Sequence, residues 1–246
     1  MSHSFSAGIS QLFYFFLIVL SLQYKMADTY GLILLHGSGG TGKDFEQWIS
    51  LYPFFLSKLK TSQFRFRFPS ASVIKYTLAG GAPMSVWHDR VDLSPHVTED
   101  TSRVLISAAE IDKEIDGFIN EGIPVDKIFV LGFSMGGHMA LQMAIQSKYS
   151  EQLAGVVALS CFISRISPTW ELIKTRRRIP PILMIHGGSD AMVSSAWGKE
   201  TADRLAAMGC DINFSVHPRL GHDISRAELE SVLDWIIERT LCSSAT

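Results

Sequence analysis

From Tyr30 onward, apolar and polar positions alternate between two rhythms. Residues 31–35 (GLILL), 128–131 (IFVL), 155–159 (GVVAL) and 181–185 (PILMI) are short continuous apolar runs, the pattern of strands covered on both faces. Residues 64–68 alternate Phe with Arg65 and Arg67, and residues 211–217 alternate again, which suits strands with one covered face. Between these runs the spacing turns helical. Asp44 is expected to cap a helix reaching about Leu51, which Pro53 restarts toward Lys60. Thr98 is expected to open a long helix in which Val104, Leu105, Ala108, Ile111, Ile115, Phe118 and Ile119 recur until Gly122 and Pro124 stop it. Residues 194–208 read as a helix with Trp197, Leu205 and Met208 inward, and residues 225–240 as the closing one. Strands that alternate with helices in this way predict an α/β fold: a mostly parallel central sheet with helices on both faces. Only a short stretch separates the runs at 155–159 and 181–185, which leaves no room for a helical cap domain, so an open substrate surface is expected.

Two stretches break the rhythm. Residues 69–95 form a long connection, of a length that usually builds a binding surface, and its aromatic and apolar members Tyr76, Leu78, Met84, Val86 and Trp87 are expected to wall a substrate groove. Residues 12–22 (LFYFFLIVLSL) are intensely apolar yet shorter than the roughly 20 residues a helix needs to cross a bilayer. We read residues 1–25 first as an extension or membrane-associating tail, with Met26 as a possible functional start. A signal peptide comes second, because no Lys or Arg precedes the apolar core, and a spanning helix last. Residues 26–246 are then expected to form one domain.

Composition narrows the partners. Lys and Arg together number 22 against 24 acidic residues, without a basic stripe broad enough to track a phosphate backbone, which argues against nucleic acid. Three cysteines without metal-like spacing indicate neither a disulfide framework nor a zinc site, so no metal is expected and a reducing compartment is favoured.

The chemistry centres on Gly132-Phe133-Ser134-Met135-Gly136, where an apolar strand pattern ends and an Ala- and Met-rich helix pattern begins at once. A turn this tight leaves no space for side chains at Gly132 or Gly136 and forces Ser134 into a strained backbone, the nucleophile elbow of serine hydrolases; a glycine-rich turn with a solvated serine is the competing reading. A serine hydroxyl needs a base, and the base needs an acid to fix its tautomer. Asp190 follows the 181–185 run through Gly187-Gly188-Ser189 and lies at the sheet's C-terminal edge, whereas Asp203 and Asp211 fall on a helix face and a strand start. For the base, His222 lies in the loop before the last helix and is preferred to His217, which ends the last strand. The N–H groups of Met135 and of Ser38, in the Gly-rich loop 36–42, are expected to form the oxyanion hole. That loop is not a phosphate-binding loop, since Gly42-Lys43 is followed by Asp44. A non-catalytic fold that binds a small hydrophobic or acyl ligand is the alternative from another class.

With these residues placed, the chain resembles the acyl-protein thioesterase/lysophospholipase family of α/β-hydrolases. The resemblance rests on HGSGGTG at 36–42, VWHD at 86–89, GFSMGG at 132–137, HGGSD at 186–190 and GH at 221–222; Met135 and Ser38 are similar to the lysophospholipase-like protein 1 branch. It implies cytosolic cleavage of carboxylic esters and thioesters without a cofactor, on substrates such as S-acylated proteins or lysophospholipids, and in that branch a preference for short acyl chains. The family's usual Asp after the first loop is Gly40 here, and its Trp-Phe-Asp is Trp87-His88-Asp89.

Overall fold

The computed structural model describes residues 29–243, so the apolar segment 12–22 and the expected boundary near Met26 lie outside the described residues. Six strands form one sheet in which every pairing is parallel: β1 (Tyr30–Leu35), β2 (Phe64–Arg67), β5 (Ile128–Phe133), β6 (Gly155–Leu159), β7 (Ile182–Gly187) and β8 (Ile212–His217). Their order is β2-β1-β5-β6-β7-β8. The chain leaves β1 toward β2 on one side and returns with β5 on the other. The crevice at the C-terminal ends of β1 and β5 is therefore the point where connections diverge, the place where open α/β sheets form sites.

The apolar runs explain the two-sided burial. Ile33, Leu35, Val130, Val156 and Met184 face one core, covered by α3 (Thr101–Asn120), α4 (Met135–Gln146), the short α5 (Thr169–Ile173) and α6 (Ser195–Ala207). Their neighbours Leu32, Leu34, Leu131, Val157 and Ile185 face the other, covered by α1 (Gly42–Ser50), α2 (Pro53–Thr61) and α7 (Arg226–Ser243). Strict alternation along each strand fills both layers. Among the described residues no helix is long and apolar enough to cross a membrane.

Three local expectations need correction. Thr41 caps α1, accepting from the Asp44 N–H, while the Asp44 carboxylate reaches back to the Thr41 N–H; Asp44 is the far half of a capping box. The long helix α3 begins at Thr101, capped by Asp100, because Glu99 turns inward to a buried network described below. The stretch 69–95 is not bare loop. It holds the antiparallel hairpin β3 (Val73–Tyr76) and β4 (Ala82–Ser85), whose tip turns through Gly80 and Gly81 at positive φ. The Asp89 carboxylate anchors that tip by accepting from the N–H and Oγ1 of Thr77.

Candidate active site

The site is built at the end of β5. A Cβ on Gly132 would lie 2.0 Å from the Gly136 carbonyl oxygen, and one on Gly136 would lie 2.1 Å from that of Leu35. Only glycine permits the strand, the turn and α4 to close up in this way. Ser134 sits between them at φ 55 and ψ −118, a strained conformation held by its N–H on Leu159 O (2.8 Å) and by the His138 N–H on its own carbonyl (3.0 Å).

The structure brings the three chemical candidates into one line. Ser134 Oγ lies 2.9 Å from His222 Nε2, and His222 Nδ1 lies 2.7 Å from Asp190 Oδ2. A carboxylate can only accept, so Nδ1–H donates to Asp190 and Nε2 is left as an acceptor for the serine hydroxyl. The Asp190 side chain is fully buried, and its other oxygen accepts from the N–H groups of Met192 (2.9 Å) and Val193 (2.8 Å). These bonds fix the carboxylate's orientation toward the ring.

Backbone bonds lock the acid loop to the base loop. Gly188 N–H donates to His217 O and Ser189 N–H to Leu220 O, and a Cβ on Gly187 would collide with the carbonyls of Leu220 and Gly221. His217, the competing base, contributes that carbonyl and is not among the residues lining the cavity in front of Ser134. His186 lies below Asp190; burial lowers its pKa, so it is neutral at pH 7 and its Nε2–H donates to Val193 O.

The Gly-rich loop after β1 lies across from the serine: a Cβ on Gly37 would come within 3.4 Å of Ser134 Cβ. His36 holds the loop's shape. Burial lowers its pKa, its Nε2 accepts from the Ala71 N–H (3.0 Å), and its Nδ1–H therefore donates to Gly37 O (2.7 Å). Gly39 and Gly40 donate to Ser85 O and Gly37 O, whereas the Ser38 N–H has no acceptor among the described residues. The Met135 N–H belongs to the first turn of α4, where helical N–H groups lack intrahelical partners. Both residues line the cavity.

That cavity measures about 450 Å³ and runs from Ser134 and His222 between α1 and the 69–95 excursion. Tyr76 and Leu78 of the 69–95 stretch line it. Trp87, Met84 and Val86 do not. Trp87 is buried beneath the Gly-rich loop, donating its indole N–H to His36 O (2.8 Å), and Met84 packs under Gly39. Their places are taken by residues that sequence reasoning did not single out as groove wall: Phe45 and Trp48 from α1, Phe133, Arg90 and Met192. The spacing of Phe45 and Trp48 on one helix face was the available signal; Arg90 and Met192 gave none.

Comparison with known proteins agrees with this architecture. The family model described as Phospholipase/Carboxylesterase matches residues 23–239. Among curated relatives, Lysophospholipase-like protein 1 of Mus musculus is 33% identical over 209 residues, covering 85% of this chain and 86% of its own. Acyl-protein thioesterase 1 of Neurospora crassa is 32% identical over 215 residues, with coverage of 85% and 86%. Among solved structures, SOBER1 of Arabidopsis thaliana superposes with a TM-score of 0.75 at 29% identity, covering 86% of this chain and 99% of that one.

Proposed function

Because this chain belongs to the phospholipase/carboxylesterase family of α/β-hydrolases, an ester- and thioester-hydrolase family, we propose that Ser134, His222 and Asp190 are its catalytic residues and that residues 26–246 act as one hydrolase domain. The observation that carries this reading is the continuous hydrogen-bonded line from Asp190 through His222 to Ser134 Oγ, ending at an open cavity.

In this mechanism His222 Nε2 takes the Ser134 proton as Oγ attacks the acyl carbonyl, and Asp190 stabilises the imidazolium that forms. The oxyanion of the tetrahedral intermediate accepts from the N–H groups of Ser38 and Met135, each such donor being worth about 2.7–4 kcal/mol. The imidazolium then protonates the departing alcohol or thiol, leaving an acyl-Ser134 ester. A water deprotonated by the same His222 cleaves that ester and restores the serine. No step requires a cofactor. S-acylated proteins and lysophospholipids are the natural substrate classes we favour, on the names of the relatives above, and a cytoplasmic location accords with them.

Turnover of p-nitrophenyl esters from acetate to palmitate, together with a short acyl thioester, tests the proposal. Hydrolysis that disappears in Ser134→Ala and peaks at short acyl chains is expected. Equal rates for the folded wild-type and variant proteins would contradict it.

A further inference from the structure

The cavity in front of Ser134 is mostly apolar-walled, yet an arginine is among the residues that line it. Arg90 lines the cavity from the 69–95 excursion, and its position is fixed because its own N–H donates to the Asp89 carboxylate that anchors the hairpin tip. Its guanidinium carbon stacks 5.1 Å over the Phe162 ring. Among the described residues it forms no ion pair and no side-chain hydrogen bond.

The carboxylates around it are already engaged. Asp44, on the same cavity wall, is held in its capping box with Thr41. Glu99 uses one oxygen on His138 and the Ser164 N–H and the other on Ser167. Partial burial lowers the Arg90 pKa, but an arginine remains charged in a protein. Arg90 is half-buried and unpaired among the described residues, and it lies in the wall of the space that a substrate enters.

We propose that Arg90 binds an oxyanion, a carboxylate or a phosphate, carried by the ester substrate while the scissile carbonyl lies at Ser134. The preferred substrates are then acidic esters. The inference rests on the hydrolase reading above and adds to it the charge of the substrate.

Two matched ester pairs test it and locate the charge. In the first, p-nitrophenyl butyrate is compared with the mono-p-nitrophenyl ester of glutarate, which places the acid on the acyl chain. In the second, 1-butyrylglycerol is compared with its 3-phosphate, which places it on the leaving group. Wild-type protein is expected to favour the acidic member of one pair by roughly tenfold or more in kcat/KM, chiefly through KM. Arg90→Met should lower that ratio at least tenfold and Arg90→Lys should keep most of it. A ratio is independent of how much of a variant folds. An acidic-to-neutral ratio at or below one in both pairs, or one that Arg90→Met leaves unchanged, overturns the inference while the neutral esters still report a working hydrolase. No turnover of any of the four esters overturns the hydrolase reading and this inference with it.

Discussion

Two histidine–carboxylate pairs lie close to Ser134, and they do different things. His222 and Asp190 meet at 2.7 Å, with the far nitrogen of the ring on Ser134 Oγ and the ring 14% exposed at the cavity. His138 and Glu99 meet at 3.0 Å on the other side of the elbow, but the His138 ring is wholly enclosed. Its second nitrogen faces His88 Nε2 at 3.1 Å, and Gln142 packs against it. Close pairing of an imidazole with a carboxylate is therefore not what makes a base. The first pair leaves one side open toward a hydroxyl and a cavity. The second has every side filled by protein, and it braces the lead-in to α3, the elbow helix and the segment after β6 against one another.

Electrostatics separate the two pairs further. Burial pushes the Glu99 carboxyl up, but His138 beside it, with the bonds from Ser167 and Ser164, overcomes that and holds it at about 2. Burial, reinforced by His138 and Arg90, pushes His88 well below its usual value, so it is neutral at pH 7.

Changing each acid in turn is the most severe way to break the contrast. Asp190→Asn, which leaves shape but destroys the tautomer, should lower kcat on the order of 10⁴-fold. Retained turnover in the folded variant would remove Asp190 from the mechanism. Glu99→Gln should do the opposite. It should cost about 1.5–3 kcal/mol in chemical denaturation, since it removes the charge from a buried acceptor of hydrogen bonds from Ser167 and the Ser164 N–H, and leave kcat of the folded protein within about tenfold. The depressed Glu99 pKa adds a pH signature. Its stabilisation is full above the unfolded value near 4.5 and is lost as pH falls toward about 2, a decline that Glu99→Gln should flatten.

A third buried carboxyl sharpens the point. Glu228, in the first turn of α7, has neither a histidine nor any other side-chain partner on its oxygens among the described residues, and burial raises it to about 8. Its folded pKa lies above the unfolded one, so the fold holds the extra proton and stability should fall from about pH 4.5 to about pH 8, at roughly 1.4 kcal/mol per pH unit. Glu228→Gln should abolish that slope in pH-dependent denaturation; an unchanged slope would mean that Glu228 ionises freely. The smallest loss of stability is expected at the start of α1: Thr41→Ala, which removes the cap, should cost about 1 kcal/mol in the same assay.

The two pairs also differ in how far they could be read from the chain. Asp190 and His222 each follow a strand by a short loop at the sheet's C-terminal edge, so strand order and loop position bring them toward Ser134. Glu99 precedes His138 by 39 residues in a stretch that resembles the start of a helix, and no periodicity says that it turns inward. The four inner strands were legible because burial on both faces writes a continuous apolar run, and the edge strands β2 and β8 because one covered face writes an alternation. The hairpin at 73–85 was not, because its four-residue strands carry Lys75 and Pro83 and lie outside the main sheet. Trp87 was read as groove wall from its apolar character, but its indole N–H finds its acceptor at His36 O, which draws the ring beneath the loop and away from the cavity.

The central claim is that Ser134 is the residue acylated by substrate. A fluorophosphonate that reacts with activated serines, followed by intact-mass and peptide analysis, tests it most directly. The account predicts a single adduct, mapped to Ser134 and absent from Ser134→Ala. An adduct that persists in the folded variant, or none on a protein that hydrolyses esters, would contradict it.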